Sequence, residues 1–215
     1  MRGLLCTLAF ALAAAPAFSQ EPEPSAASGS LALELIAAAR ADGVFVAEAS
    51  EPHTIVIRHP SSGLICRMGA EDANRLIIFP QAARGEDVAC ETEHDNVSIR
   101  LFATRYSFDT SLDEQLRGAS AVIERLHPGA RPFTVALPVA DQSLPPHRSV
   151  AYVIESGGAS SFTSVSVAKI GEWVFKLRYT ASAADAEAAR AAAAAAERTF
   201  AETLHQIVAR GGASQ

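Results

Sequence analysis

The sequence lacks the short motifs that identify many enzyme families. It contains no Gly-x-Ser-x-Gly, no His-Glu-x-x-His, no phosphate-binding loop and no dinucleotide-binding glycine pattern. The serine pairs Ser61-Ser62 and Ser160-Ser161 lie in glycine-flanked turns, where serine is common for conformational reasons. We therefore predict no catalytic residues and no cofactor.

Clustered positive charge and a long apolar run in the body of the chain are also missing. The 215 residues carry 18 Lys and Arg against 24 Asp and Glu, for a formal net charge of -6. A nucleic-acid surface needs Lys and Arg grouped together, so nucleic acid is not an expected partner. Beyond the amino terminus no apolar run approaches the roughly 20 residues of a membrane span, so we expect no transmembrane anchor.

The amino terminus has the composition of a secretory signal peptide. Arg2 provides the positive start, an uncharged apolar run covers 4–15, and the small residues Ala17 and Ser19 precede a cleavage site at Gln20. We predict that residues 1–19 are removed on export. The preference for Ala and Arg over Lys and Asn is typical of a GC-rich bacterial genome, so the predicted location is the periplasm or the cell exterior.

Cysteine is scarce, and its spacing limits what it can do. Cys6 lies in the predicted signal peptide, which leaves Cys66 and Cys90. An even number of cysteines in an exported chain favours a disulfide. A redox pair is normally spaced Cys-x-x-Cys, and a zinc site needs closer partners. We predict a structural Cys66–Cys90 disulfide, with two buried free thiols or a redox pair as the alternatives.

The remaining chain is divided by proline, glycine and polar turns into short segments. We predict a disordered leader over 20–29, a single domain over 30–210 and a tail over 211–215, with Ser30 as the cap of a first short helix. Alternating apolar residues and turn signals predict strands at 43–48, 54–59, 64–68, 75–79, 88–93, 97–106, 133–137, 149–155, 162–170 and 173–180.

Two further helices complete the predicted domain. Ser111 and Glu114 form a capping box before a stripe of apolar residues at helical spacing: Leu112, Leu116, Ala119, Ile123 and Leu126. Ser182 is the expected cap of a long final helix through Ala191–Ala196, whose core side is Phe200, Leu204 and Ile207. Gly171-Glu172 predicts a two-residue type II′ hairpin that sets Ile170 opposite Trp173.

This order predicts an α+β fold: an antiparallel sheet with an internal helix and a long C-terminal helix packed on one face. Part of the chain resembles the PsbP-like sandwich group. The resemblance is carried by the strand 97–106, the helix at Leu112, the strands around Tyr152 and Val165, and the run WVFKLRYTASAADAE before the terminal helix. The resemblance covers about half of the chain. It implies a binding or assembly factor, because members of that group mostly act without chemistry.

Strand alternation also gathers a candidate binding patch on the side away from the apolar rows: Arg100, Phe102, Lys176 and Arg178. In an acidic protein such a patch could receive an anionic partner or an acidic peptide segment. The alternative is that the side-chain stems cover apolar surface while their charges stay in water.

Glu91, Glu93, His94 and Asp95 are the strongest candidates for a metal site, but a polar hairpin tip explains them equally well, so we predict no metal. The other histidines, including His59, are expected at the surface or in turns. Together these features predict an exported, non-enzymatic binding or accessory protein, with another periplasmic or envelope protein as a possible partner. The alternatives are a small-ligand or metal-binding module and an unrecognised hydrolase.

Overall fold

A computed structural model describes residues 24–49, 51–134 and 143–211. The predicted signal peptide 1–19, residues 20–23 of the predicted leader, most of the predicted strand 133–137 and most of the predicted tail 211–215 lie outside the described residues.

Helices occur at three places in the described residues: α1 Pro24–Ala38, α2 Leu112–Leu126 and α3 Ala186–Gly211. The strands are β1 Val46–Ala47, β2 Thr54–Arg58, β3 Ile65–Gly69, β4 Ala73–Ile78, β5 Asp87–His94, β6 Val97–Arg105, β7 Arg131–Pro132, β8 His147–Ser156, β9 Ala159–Ile170 and β10 Trp173–Ser182. Within these ranges no helix combines the length and the apolar composition that a membrane span requires.

The strands form two antiparallel sheets. A small sheet has the order β1-β2-β3, and a seven-stranded sheet has the order β4-β5-β6-β10-β9-β8-β7. The predicted α+β class and antiparallel arrangement are confirmed. The chain passes from the small sheet to the large one between β3 and β4, in a turn where Asp72 accepts a hydrogen bond from the Gly69 N–H at 3.2 Å.

The main core lies on one face of the large sheet, beneath α3, α1 and the small sheet. The alanines of α3 let this helix approach closely, since Ala189, Ala193 and Ala196 are buried with Phe200 and Leu204. The predicted structural disulfide is present and joins Cys66 of β3 to Cys90 of β5. It ties the small sheet to the large one through this core.

Helix α2 packs on the opposite face of the large sheet. Its Ile123 is buried against Tyr152 of β8 and Val165 and Val167 of β9. Strand β9 is buried on both sides over this stretch, with Val165 and Val167 under α2 and with Ser164, Ser166 and Ala168 on the opposite face. This second helix layer determines the shape of the face that carries the predicted patch.

The local turn and cap chemistry is largely as the sequence predicts. The capping box is present, with the Ser111 Oγ accepting from the Glu114 N–H at 3.2 Å and the Glu114 carboxylate accepting from the Ser111 N–H at 2.8 Å. Ile170 pairs with Trp173, and only Gly171 of the two loop residues has a positive φ, at 58°, as a type II′ turn requires. Leu126, by contrast, is exposed at the end of α2 and does not extend the buried stripe.

Two predicted helix caps are wrong. Helix α1 begins at Pro24, so residues 24–29 are helical and Ser30 lies inside the helix, where its Oγ donates to the Ala26 carbonyl at 3.3 Å. Ser182 belongs to β10, and the cap of α3 is Asp185, whose Oδ1 accepts the N–H groups of Glu187 and Ala188 at 2.9 and 2.8 Å.

The large sheet has β4 at one edge and its shortest strand, β7, at the other. Strand β7 has only Arg131 and Pro132, paired with Val153 and Tyr152 of β8. Phe133 and Thr134 belong to no strand, and the rest of the predicted strand 133–137 lies outside the described residues.

Candidate functional site

The structure brings the four predicted patch residues together. Across the β6–β10 pairing Arg100 lies directly opposite Arg178, and Phe102 lies opposite Lys176. Directly paired residues of antiparallel strands point to the same face of a sheet. All four side chains therefore share the face on which α2 packs, away from the disulfide and the main core.

Helix α2 turns this patch into one side of a cleft. Gly118, Ala119 and Val122 of α2 form the wall facing the four patch residues, and Val165 of β9 lies on the floor beside Arg178, around a volume of about 470 Å³. We call this space the α2 cleft. Its wall is apolar and small, and its floor is basic and aromatic.

The arginines of the cleft are unequally paired. Glu91 of β5 is almost fully buried and forms ion pairs with both Arg100 and Arg75. Arg178 has no hydrogen-bond or ion-pair partner among the described residues, and burial lowers its pKa. Burial, followed by the charges of Arg75 and Arg178, also lowers the pKa of Arg100. The floor thus holds more positive charge than Glu91 neutralises.

Lys176 is held in place by a hydrogen-bonded chain. Its Nζ donates to the Tyr106 Oη at 3.2 Å, and that hydroxyl donates to the Gln115 Oε1 at 2.8 Å. The Gln115 Nε2 in turn donates to the Thr110 Oγ1 at 3.0 Å. The ammonium also lies 5.8 Å from the Phe102 ring centroid, within cation–π distance. These contacts fix the charge at the mouth of the cleft.

Carboxylates contribute little negative charge to the cleft lining. Glu114 is the one carboxylate among the lining residues, and the Ser111 N–H holds its pKa below the ordinary value by binding it in the capping box. Asp87 lies on the same face beyond Lys176, and burial raises its pKa, although Lys176 and the Thr104 hydroxyl act in the other direction. The cations Arg100, Lys176 and Arg178 therefore dominate the potential inside.

A second depression, beside the β9–β10 turn, lacks an excess of positive over negative charge. Its cations are matched by neighbouring carboxylates: Arg105 pairs with Glu86, and the Lys169 Nζ lies 2.7 Å from the Asp109 Oδ1. A site with paired charges offers an anion less than the α2 cleft does.

The residues weighed as metal ligands do not converge. Glu91 points into the arginine pair on the sheet, whereas the His94 ring nitrogens lie 2.7 Å from Asp72 and 3.1 Å from Asp95. Glu93 is exposed on the same strand as Glu91. In the part of the chain that the structure describes, no group of three His, Cys, Asp or Glu side chains is arranged to hold a metal ion.

One serine–histidine contact is present, and it belongs to a turn. The His59 Nδ1 and Ser62 Oγ are 2.8 Å apart, and the same hydroxyl accepts the Leu64 N–H at 3.1 Å. His59 is 1% exposed, with ring centroids 5.4 Å from those of Phe45 and Trp173, and burial lowers its pKa to about 4. His59 lies in a turn, one of its two expected settings, but the turn buries the ring and does not leave it at the surface. So weak a base is poorly suited to activating a hydroxyl at neutral pH.

Sequence reasoning missed part of the cleft. Tyr106 continues the two-residue period of Arg100 and Phe102, so strand alternation carried a signal for it. Phe79, whose ring stacks with Phe102 at 6.0 Å between centroids, ends the predicted strand 75–79, where alternation sets it on the side of Arg75. Gln115 was part of the predicted helix, but its role depends on which face α2 covers.

No protein-family model matches the sequence, and no curated protein matches it either. The resemblance to the PsbP-like group therefore stays a prediction.

Proposed function

We propose that this protein is an exported, non-enzymatic binding protein of the bacterial envelope, and that the α2 cleft is its recognition site for an anionic group. The observation that carries the proposal is the guanidinium of Arg178, which has no partner among the described residues and lies on the floor of a cleft whose described lining has three cations and one engaged carboxylate. A ligand anion would supply the partner that this cation lacks.

The disulfide and the amino-terminal pattern support the location. A Cys66–Cys90 bridge is typical of proteins that fold in an oxidising space. The predicted signal peptide would deliver the chain to the periplasm. Mass spectrometry of protein purified from a native host tests this directly. We expect a mature chain that begins at or near Gln20, and an intact amino terminus would contradict export.

Anion binding is tested by titration with the purified mature protein. Isothermal calorimetry and backbone NMR shifts are followed while carboxylates of increasing size and an octaglutamate peptide are added. We expect saturable binding with shifts centred on Gly118 and Arg178, and weaker binding as salt is raised.

The variant Arg178→Gln keeps the length and polarity of the side chain but removes the charge. The matched control is Arg190→Gln, which removes one exposed positive charge from α3 on the other side of the sheet. Loss of binding in the first variant and retention in the second support the proposal. Binding that neither variant changes would place the site elsewhere.

A hydrolase with Ser62 as nucleophile is the second candidate, because the His59–Ser62 contact is within hydrogen-bond distance. A fluorophosphonate probe tests it, since such probes label activated serines. We expect no labelling of Ser62, because its hydroxyl closes a turn and its histidine is a weak base. Labelling that disappears in Ser62→Ala would favour the enzyme.

A further inference from the structure

We propose that the ligand of the α2 cleft is a small organic acid that carries a single carboxylate on a compact apolar body. This inference rests on the proposed function and narrows its ligand class. It follows from the size of the cleft, the chemistry of its two sides and the shortage of free groups for a peptide backbone.

The first argument is size. The cleft encloses about 470 Å³. Sites for small molecules commonly measure on the order of 300–1,000 Å³. A space at the lower end of that range fits a one- or two-ring molecule.

The second argument is the apolar lining opposite the charges. Ala119 and Val122 of α2 lie on one side, and Val165 of β9 lies with the Phe79 and Phe102 rings on the sheet side. A fully hydrated anion would gain nothing from these surfaces, because they offer it no hydrogen bonds. An apolar body between them is removed from water, at about 25 cal/mol for each Å² buried.

The third argument is that only one guanidinium of the cleft lining, that of Arg178, has no partner among the described residues. Arg100 is engaged by Glu91, and Lys176 is tied to Tyr106, whereas Arg178 has no partner in the described ranges. A guanidinium binds a carboxylate through two parallel hydrogen bonds, so one free Arg matches one carboxylate. Lys176 and Arg100 add positive potential from beside it.

The fourth argument concerns what an acidic peptide would need. Each peptide unit brings an N–H and a carbonyl that require partners once they leave water. The neutral polar groups of the lining, Tyr106 and Gln115, already bind each other, and Gln115 also binds Thr110. A small acid makes no such demand.

The test compares four probes by calorimetry at low salt: 2-naphthoate, 2-naphthylmethanol, acetate and octaglutamate. The alcohol has the rings without the charge, and acetate has the charge without the rings. We expect 2-naphthoate to bind one to one and about tenfold or more tighter than each of the others, because it alone satisfies both sides of the cleft.

Position 118 offers a matched pair of variants. A Cβ built at Gly118 meets nothing within 4 Å, so a side chain there extends into open space at the cleft wall. We expect Gly118→Trp to fill the cleft and abolish 2-naphthoate binding, while Gly118→Ala retains it. Arg178→Gln should weaken 2-naphthoate binding about tenfold or more. This variant tests the site if Gly118→Trp does not fold.

The outcomes separate the two proposals. Octaglutamate binding tighter than 2-naphthoate, with loss in Arg178→Gln, would overturn the small-acid ligand and leave the anion-binding function intact. Equal binding of 2-naphthoate and its alcohol would also overturn the ligand class. If no anionic probe binds at all, both proposals fail. Undiminished 2-naphthoate binding in both Gly118→Trp and Arg178→Gln would show that the acid binds outside the cleft.

Discussion

Replacing His59 by asparagine removes a titratable group from the contact between the two sheets. The ring packs between Phe45 and Trp173 and is 1% exposed. Burial lowers its pKa from an ordinary 6.5 to about 4, although a backbone hydrogen bond with Gly85 opposes the shift. The folded protein therefore keeps this histidine neutral over a range in which the unfolded chain protonates it.

The sign and size of the effect follow from that difference. Between pH 6.5 and about 4 the unfolded state binds the proton more readily, so the free energy of unfolding falls as the pH falls. Each pKa unit corresponds to about 1.4 kcal/mol, which gives a loss of about 3 kcal/mol across the window. Above pH 7 both states are neutral at His59 and its contribution is constant.

The assay is urea unfolding of wild type and His59→Asn at half-unit steps from pH 8 to pH 4. We expect the free energy of unfolding of wild type, relative to that of the variant, to fall by about 3 kcal/mol as the pH is lowered. His53→Asn is the control, because His53 is exposed and its φ of 59° suits asparagine. Parallel stability curves for wild type and His59→Asn would refute the reasoning.

Further stability predictions concern the disulfide, a cap and the long helix. The double variant Cys66→Ala/Cys90→Ala should lose about 3 kcal/mol in urea unfolding, because the bridge no longer restricts the unfolded chain, and an unchanged midpoint would contradict this. Ser111→Ala should cost about 1 kcal/mol and lower the melting temperature by a few degrees, since one orphan N–H of α2 loses its acceptor. Phe200→Ala should cost about 3–5 kcal/mol in the same unfolding assay because the ring is fully buried under α3.

Features determined by neighbouring residues were predictable from the sequence. The capping box at Ser111 depends on a serine and a glutamate three positions apart. The β9–β10 register depends on a glycine at the first position of a two-residue loop. The four patch residues share a face because every second side chain of β6 and of β10 points to the same side of the sheet, and strand alternation alone predicts that.

Features determined by distant contacts were not predictable. Ser182 and Asp185 are both acceptable caps, and the choice between them depends on how far β10 pairs with β9. The division into two sheets depends on where β3 packs. The α2 cleft forms only because the helix covers the patch side of the sheet, and Val165 and Val167 on that side were the sole local indication of a cover.

The end of the large sheet at β7 bears on how the protein behaves in concentrated solution. Pro132 has no N–H to offer to an incoming strand, and with two residues β7 presents little backbone for a second molecule to pair with. The charged side chain of Arg131, bound to Glu155 at 2.6 Å, adds a hydrophilic cover to the same border. Growth into fibrils by addition of a further strand to β7 itself is thereby discouraged.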